Sequence, residues 1–183
     1  MTLRSWHASA RSTAAAVRTF WFLSLLLPAA GAMAGDRDAA FPAPADLGAV
    51  AAQAAKRGTP IIILFSLPGC SFCDVIRQNY LAPLARDVVP SQRPIIREVG
   101  IMDTATFFGF HGEAVSHSEL ARKYGVRFAP TVILLDRAGN LLAPPIIGGD
   151  VAGLYGAYLG NALAEASHKL VAVRLSDSKR TGL

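Results

Sequence analysis

The run Ile61-Ile62-Ile63-Leu64-Phe65 is apolar at every position, with Pro60 before it and the turn Ser66-Leu67-Pro68-Gly69 after it. Side chains alternate between the two faces of a strand, so an unbroken apolar run of this length has no face suited to water. It reads as a strand buried on both sides, and such a strand needs a layer of helices above and below its sheet.

The rest of the chain supplies those layers. Leu47 to Arg57 is alanine-rich with one apolar stripe, a helix stopped by Gly58. Ser71 to about Arg86 is helical in pattern, with Val75, Ile76, Tyr80, Leu81 and Leu84 on one side and Pro83 expected to kink it or end it early. Ile95 to Ile101 is a second strand. Met102 to Ser116 reads as an irregular aromatic connection containing Phe107, Phe108, Phe110 and His111, long enough to be a functional or covering loop. A short helix from Ser118 to Tyr124, closed by Gly125, leads into a third strand through Leu135. A turn at 136–140 then connects to a strand from Leu141 to Ile147. Pro144 and Pro145 mark that strand as an edge. Asp150 is the expected cap of a last helix running to about Lys169, followed by a polar, frayed tail. The order α-β-α-β-α-β-β-α predicts an α/β fold with a central mixed sheet of four to five strands and helices on both faces.

The N-terminus has the pattern of an export signal. Arg4, Arg11 and Arg18 precede an apolar run from Phe20 to Ala30, which ends in Ala32-Met33-Ala34. The run is short for a bilayer crossing, which takes about 20 residues. The expected organisation is therefore a signal peptide over 1–34, a flexible lead-in over 35–46, one domain over 47–170 and a tail over 171–183. Export would place the domain outside the reducing cytosol. Three of the 18 Lys and Arg residues fall in the leader and 13 Asp and Glu oppose the others, which are scattered. No nucleic-acid partner is expected.

The chain has two cysteines, Cys70 and Cys73, at the start of the second helix. Three uses compete for such a pair. A structural disulfide across so small a loop restricts the unfolded chain little. A zinc site needs two more ligands, and beyond the leader only His111, His117 and His168 are on offer, so no metal is assigned. Redox exchange suits the position, because unpaired N–H groups of a first helical turn favour a thiolate. Histidines in the polar 111–117 stretch read as solvated groups.

With the strand, the motif Cys70-Ser71-Phe72-Cys73, a second strand, Ala129-Pro130-Thr131 opening a third, and the ending Gly148-Gly149, residues 47–166 resemble the thioredoxin superfamily. The runs Pro68-Gly69-Cys70-Ser71-Phe72-Cys73 and Glu119-Leu120-Ala121-Arg122-Lys123-Tyr124-Gly125-Val126 are similar to those of bacterial periplasmic thioredoxins of the sulfur-oxidation type. The resemblance implies a thioredoxin fold and a monomer. It implies thiol–disulfide exchange with protein substrates, working more as a reductant than as an oxidant. Cys70 would be the nucleophile and Cys73 the resolver. A cis bond at Ala129–Pro130 would face them, with Ala129 and Pro130 binding substrate. No organic cofactor is implied; electrons would pass to or from another redox protein, such as a membrane thiol transporter. The rival is a non-catalytic binding or chaperone-like module.

The chain departs from cytosolic thioredoxins at three places. Gly69 stands where they have Trp, Ser71-Phe72 where they have Gly-Pro, and Leu64 where they bury an Asp. Glu98 or Asp103 is the candidate replacement proton shuttle, against the plainer reading of an exposed carboxylate.

Overall fold

The computed structural model describes residues 41–181. The expected signal peptide over 1–34 lies outside the described residues, as do the start of the lead-in and the last residues of the tail. The elements are α1 (Leu47–Arg57), β1 (Ile61–Ser66), α2 (Ser71–Ile76), α3 (Ala82–Arg86), β2 (Ile95–Gly100), β3 (Thr106–Phe108), β4 (Ala114–Ser116), α4 (His117–Lys123), β5 (Thr131–Leu135), β6 (Ile146–Ile147) and α5 (Tyr155–Thr181). One π-helical turn, Arg77–Leu81, joins α2 to α3 without a break. It sits just before Pro83, whose missing N–H and bulky ring an ordinary α-helix accommodates poorly.

Four strands form a mixed sheet in the order β2-β1-β5-β6. β1 runs parallel to β2 and antiparallel to β5, and β5 runs antiparallel to β6. Every residue of β1 is buried. Ile61, Ile63 and Phe65 pack on one face with α1, α4, Phe107 and Phe110. Ile62 and Leu64 pack on the other with Ile76, Leu81 and the Tyr155-Leu159-Ala162-Ala166 stripe of α5. The central strand thus divides its side chains between two helical layers. Each large apolar side chain so buried contributes about 1.5–3 kcal/mol.

Four expectations change. The 102–116 stretch is not irregular: β3 and β4 form a separate antiparallel hairpin pairing Phe107 with Val115. Phe107 and Phe110 go into the core and Phe108 stays exposed. The strand expected over Leu141–Ile147 shrinks to β6 and a single bridge between Leu135 and Leu141, because Pro144 and Pro145 cannot donate to a ladder. The last helix starts at Tyr155, not beside Asp150, which reaches forward so that its carboxylate accepts the Tyr155 N–H at 3.3 Å. That helix continues to Thr181 through the stretch expected as a frayed tail.

The fourth change concerns residues 41–46, where a free lead-in was expected. They lie against β2 and β3. The Pro42 carbonyl accepts the Glu98 N–H at 3.3 Å and the Ala45 carbonyl accepts the Phe108 N–H at 3.0 Å. This segment covers the outer side of β2, an edge strand that would otherwise present unpaired backbone groups. Asp46 then caps α1 by accepting the Ala49 N–H at 2.9 Å.

Helix α4 is fixed at its start by a reciprocal cap. Ser116 Oγ accepts the Glu119 N–H at 3.3 Å, and the Glu119 carboxylate accepts the Ser116 N–H at 2.7 Å. Ser116→Ala is expected to cost about 1 kcal/mol. Chemical denaturation should show a lower midpoint with an unchanged slope.

Candidate active site

Cys70 and Cys73 form a disulfide. The turn that presents them needs Gly69, whose φ of +69° is costly for any residue with a Cβ. Cys70 occupies the N-cap of α2 with extended backbone angles, and its Sγ accepts the Cys73 N–H at 3.1 Å. The sulfur therefore sits where a helix offers unpaired donors, which is where a thiolate would be stabilised. Cys70 is partly exposed and Cys73 is fully buried.

The strand register brings the other candidates to the same end of the sheet. Phe65, near the end of β1, pairs with Thr131, and Ser66 pairs with Gly100 of β2. The Ala129–Pro130 peptide bond is cis. Pro130 is buried, Ala129 is half-buried and Phe128 is exposed. The Pro130 carbonyl accepts the Gly148 N–H at 2.8 Å. A Cβ built on Gly149 would come within 2.6 Å of the Phe72 ring. The loop bonded to Pro130 and the cysteine motif are thus in contact through Phe72, and only glycine leaves room for that ring at 149.

The register thus places Cys70, Cys73, Ala129 and Pro130 at one end of the sheet. The thioredoxin-like domain family model matches residues 47–151, more than half of the chain. The chain belongs to the thioredoxin-like domain family. No curated protein matches it. Among solved structures it is similar to a thioredoxin-fold protein from Helicobacter pylori, at 18% identity and a TM-score of 0.43, covering 69% of this chain and 94% of that one. It is also similar to the periplasmic thioredoxin SoxS from Paracoccus pantotrophus, at 14% identity and a TM-score of 0.40, covering 58% and 98%. A third is the C-terminal domain of DsbD from Neisseria meningitidis, at 17% identity and a TM-score of 0.42, covering 66% and 98%.

Within this thioredoxin-like domain the two candidate carboxylates part company. Asp103 is exposed; its side chain accepts the Ala105 N–H at 2.9 Å and lies 3.6 Å from His117 Nδ1. Glu98 is not the exposed group of the plainer reading. It is buried, and it accepts Nε and Nη2 of Arg77 at 3.1 and 2.7 Å and the Phe41 N–H at 3.0 Å. None of these bonds reaches a cysteine. Glu98 is the strand neighbour of Leu64, so an acid is present beside the position that lacks one.

Arg77 was not singled out from sequence. It is buried one helical turn after Cys73 and also binds the Asp74 carboxylate. Hydrogen bonding to Glu98, above all, holds its guanidinium above its ordinary pKa. A signal was available: Cys73, Arg77 and Leu81 recur at intervals of four along a buried stripe, where an arginine needs an acidic partner. Val75, assigned to the apolar side, is instead exposed.

The exposure difference between the cysteines gives an order of reactivity. After reduction, iodoacetamide at neutral pH is expected to label Cys70 well before Cys73, read by peptide mass mapping. Faster labelling of Cys73 would reverse the assignment of nucleophile and resolver.

Proposed function

We propose that this protein is a thiol–disulfide oxidoreductase acting on protein substrates in the periplasm, and that it works chiefly as a reductant. The observation that carries the reading is the partly exposed Cys70 at a helix start, in a disulfide with the fully buried Cys73, at the sheet end that carries Pro130. The export-type leader supports the compartment.

The steps follow from the two positions. In the reduced form, the Cys70 thiolate attacks one sulfur of a substrate disulfide. A mixed disulfide forms and one substrate thiolate leaves and takes up a proton. Cys73 then gives up its proton and attacks the Cys70 sulfur. This closes Cys70–Cys73 and releases the second substrate thiol, so two electrons have passed to the substrate. A second dithiol protein, such as a membrane thiol transporter, would restore the reduced form by the same exchange. Ala129, half-buried beside Pro130, would offer its backbone polar groups to an extended substrate segment.

Insulin reduction tests the reading. The reduced wild-type protein with dithiothreitol should speed precipitation of the insulin chains. Cys70→Ser should abolish the rate enhancement, and Cys73→Ser should accumulate a mixed disulfide at Cys70. A Cys70→Ser variant as active as the wild type would instead favour a binding or chaperone-like module.

A further inference from the structure

The cleft that opens beside Gly69 is walled by three carboxylate residues, Asp74, Glu98 and Asp103, with Met102 at its rim and Arg77 among them. Arg77 binds two of the three. Its Nη1 contacts Asp74, and its Nε and Nη2 contact Glu98. Asp74 and Arg77 are each one helical turn from a cysteine: Asp74 follows Cys70 by four residues and donates its N–H to the Cys70 carbonyl at 3.2 Å, while Arg77 follows Cys73 by four. Residues four apart share one helix face. The cluster therefore carries one positive and two negative formal charges beside the cysteine motif, with Asp74 and Arg77 on the helical run that follows it and Glu98 on β2.

We propose that Asp74 and Glu98, gathered around Arg77, form a net-negative cluster beside the cysteine motif that disfavours the Cys70 thiolate and so biases the protein toward acting as a reductant, with Arg77 the positioning residue that holds the two carboxylates and partly offsets their charge. This rests on the thiol–disulfide reading above and adds its direction. The logic is electrostatic. A like charge nearby disfavours a thiolate. A reduced form with a less stabilised thiolate gives up its electrons more readily, just as strong oxidants are those whose reduced form is stabilised. The helix start pulls the other way, so the cluster tempers it. Arg77 limits the effect by neutralising one carboxylate and holding Asp74, whose side chain is 54% exposed, near the helix.

Other charged groups stand near this end of the sheet. Asp103 lies across the cleft, with His117 of α4 behind it. Arg127 precedes the Pro130 turn. None of these is bonded to the cluster, so the test varies the cluster alone.

Asp74→Asn and Arg77→Gln change the cluster charge in opposite directions. Folding is checked first by circular dichroism. The pH dependence of Cys70 alkylation and the equilibrium with glutathione are then measured. Asp74→Asn should lower the alkylation midpoint by about half a pH unit and move the equilibrium about threefold toward a more oxidising couple. Arg77→Gln should raise the midpoint and move the equilibrium the other way, and Arg77→Lys should restore part of the wild-type value. Should Arg77→Gln not fold, Asp74→Asn decides alone, because its side chain is largely solvated. High salt should shrink the Asp74→Asn difference. Unmoved midpoints, or movement of both variants in one direction, would overturn the proposal. Insulin reduction by the wild type is measured in the same series; its failure would overturn the underlying reading instead.

Discussion

The architecture depends on one strand being held on both edges and both faces. β1 pairs in parallel with β2 and antiparallel with β5, and every one of its residues is buried. These pairings fix where three chain segments end. The cysteine motif follows β1, the Gly100 turn follows β2, and Pro130 precedes β5, so all three reach one end of the sheet. A single-residue slip in either ladder would turn β1 side chains to the wrong helical layer, which makes the register costly to lose. The site is therefore a product of register more than of local loop structure.

The same constraint explains the position of the charge. Where cytosolic thioredoxins bury an acid, this chain has Leu64, packed among Ile76, Leu81 and Leu134. The acid lies one strand over, at Glu98 on the sheet edge. There a partner can reach it from the π-helical turn after α2, and the segment around Phe41 can donate a backbone N–H. A carboxylate buried alone would be heavily penalised by lost hydration, and a bidentate guanidinium with a third donor offsets that penalty. Replacing Arg77 by an apolar residue would leave that carboxylate without its cation, so Arg77 is bound into the fold.

What could be read from the sequence follows the range of the interactions. β1 and β5 are legible because their burial is written in consecutive apolar residues. Helix α1 is legible from its stripe and from Gly58, whose φ of +67° ends it. The cysteine motif and Pro130 are legible because they fall at strand ends. The β3–β4 hairpin was not, because its strands have three residues each and are stabilised by Phe107 and by the segment at Ala45 and Asp46. The long reach of α5 was not, because beyond Lys169 only Leu170 packs on the core while Val171, Val173 and Leu175 stay exposed. Burial of Glu98 was not, because its partners lie far along the chain at Arg77 and Phe41. Each miss is a non-local contact overriding a weak local pattern.

The central claim is that Cys70–Cys73 is a working redox couple and not a staple. A redox titration of the purified protein in dithiothreitol buffers, with thiols trapped by alkylation and counted by mass, tests it most directly. The account predicts reversible two-electron behaviour, with the same midpoint approached from either side and poised above about −300 mV. A bond that stays closed to well below that value, or that opens only with loss of the fold, would contradict it.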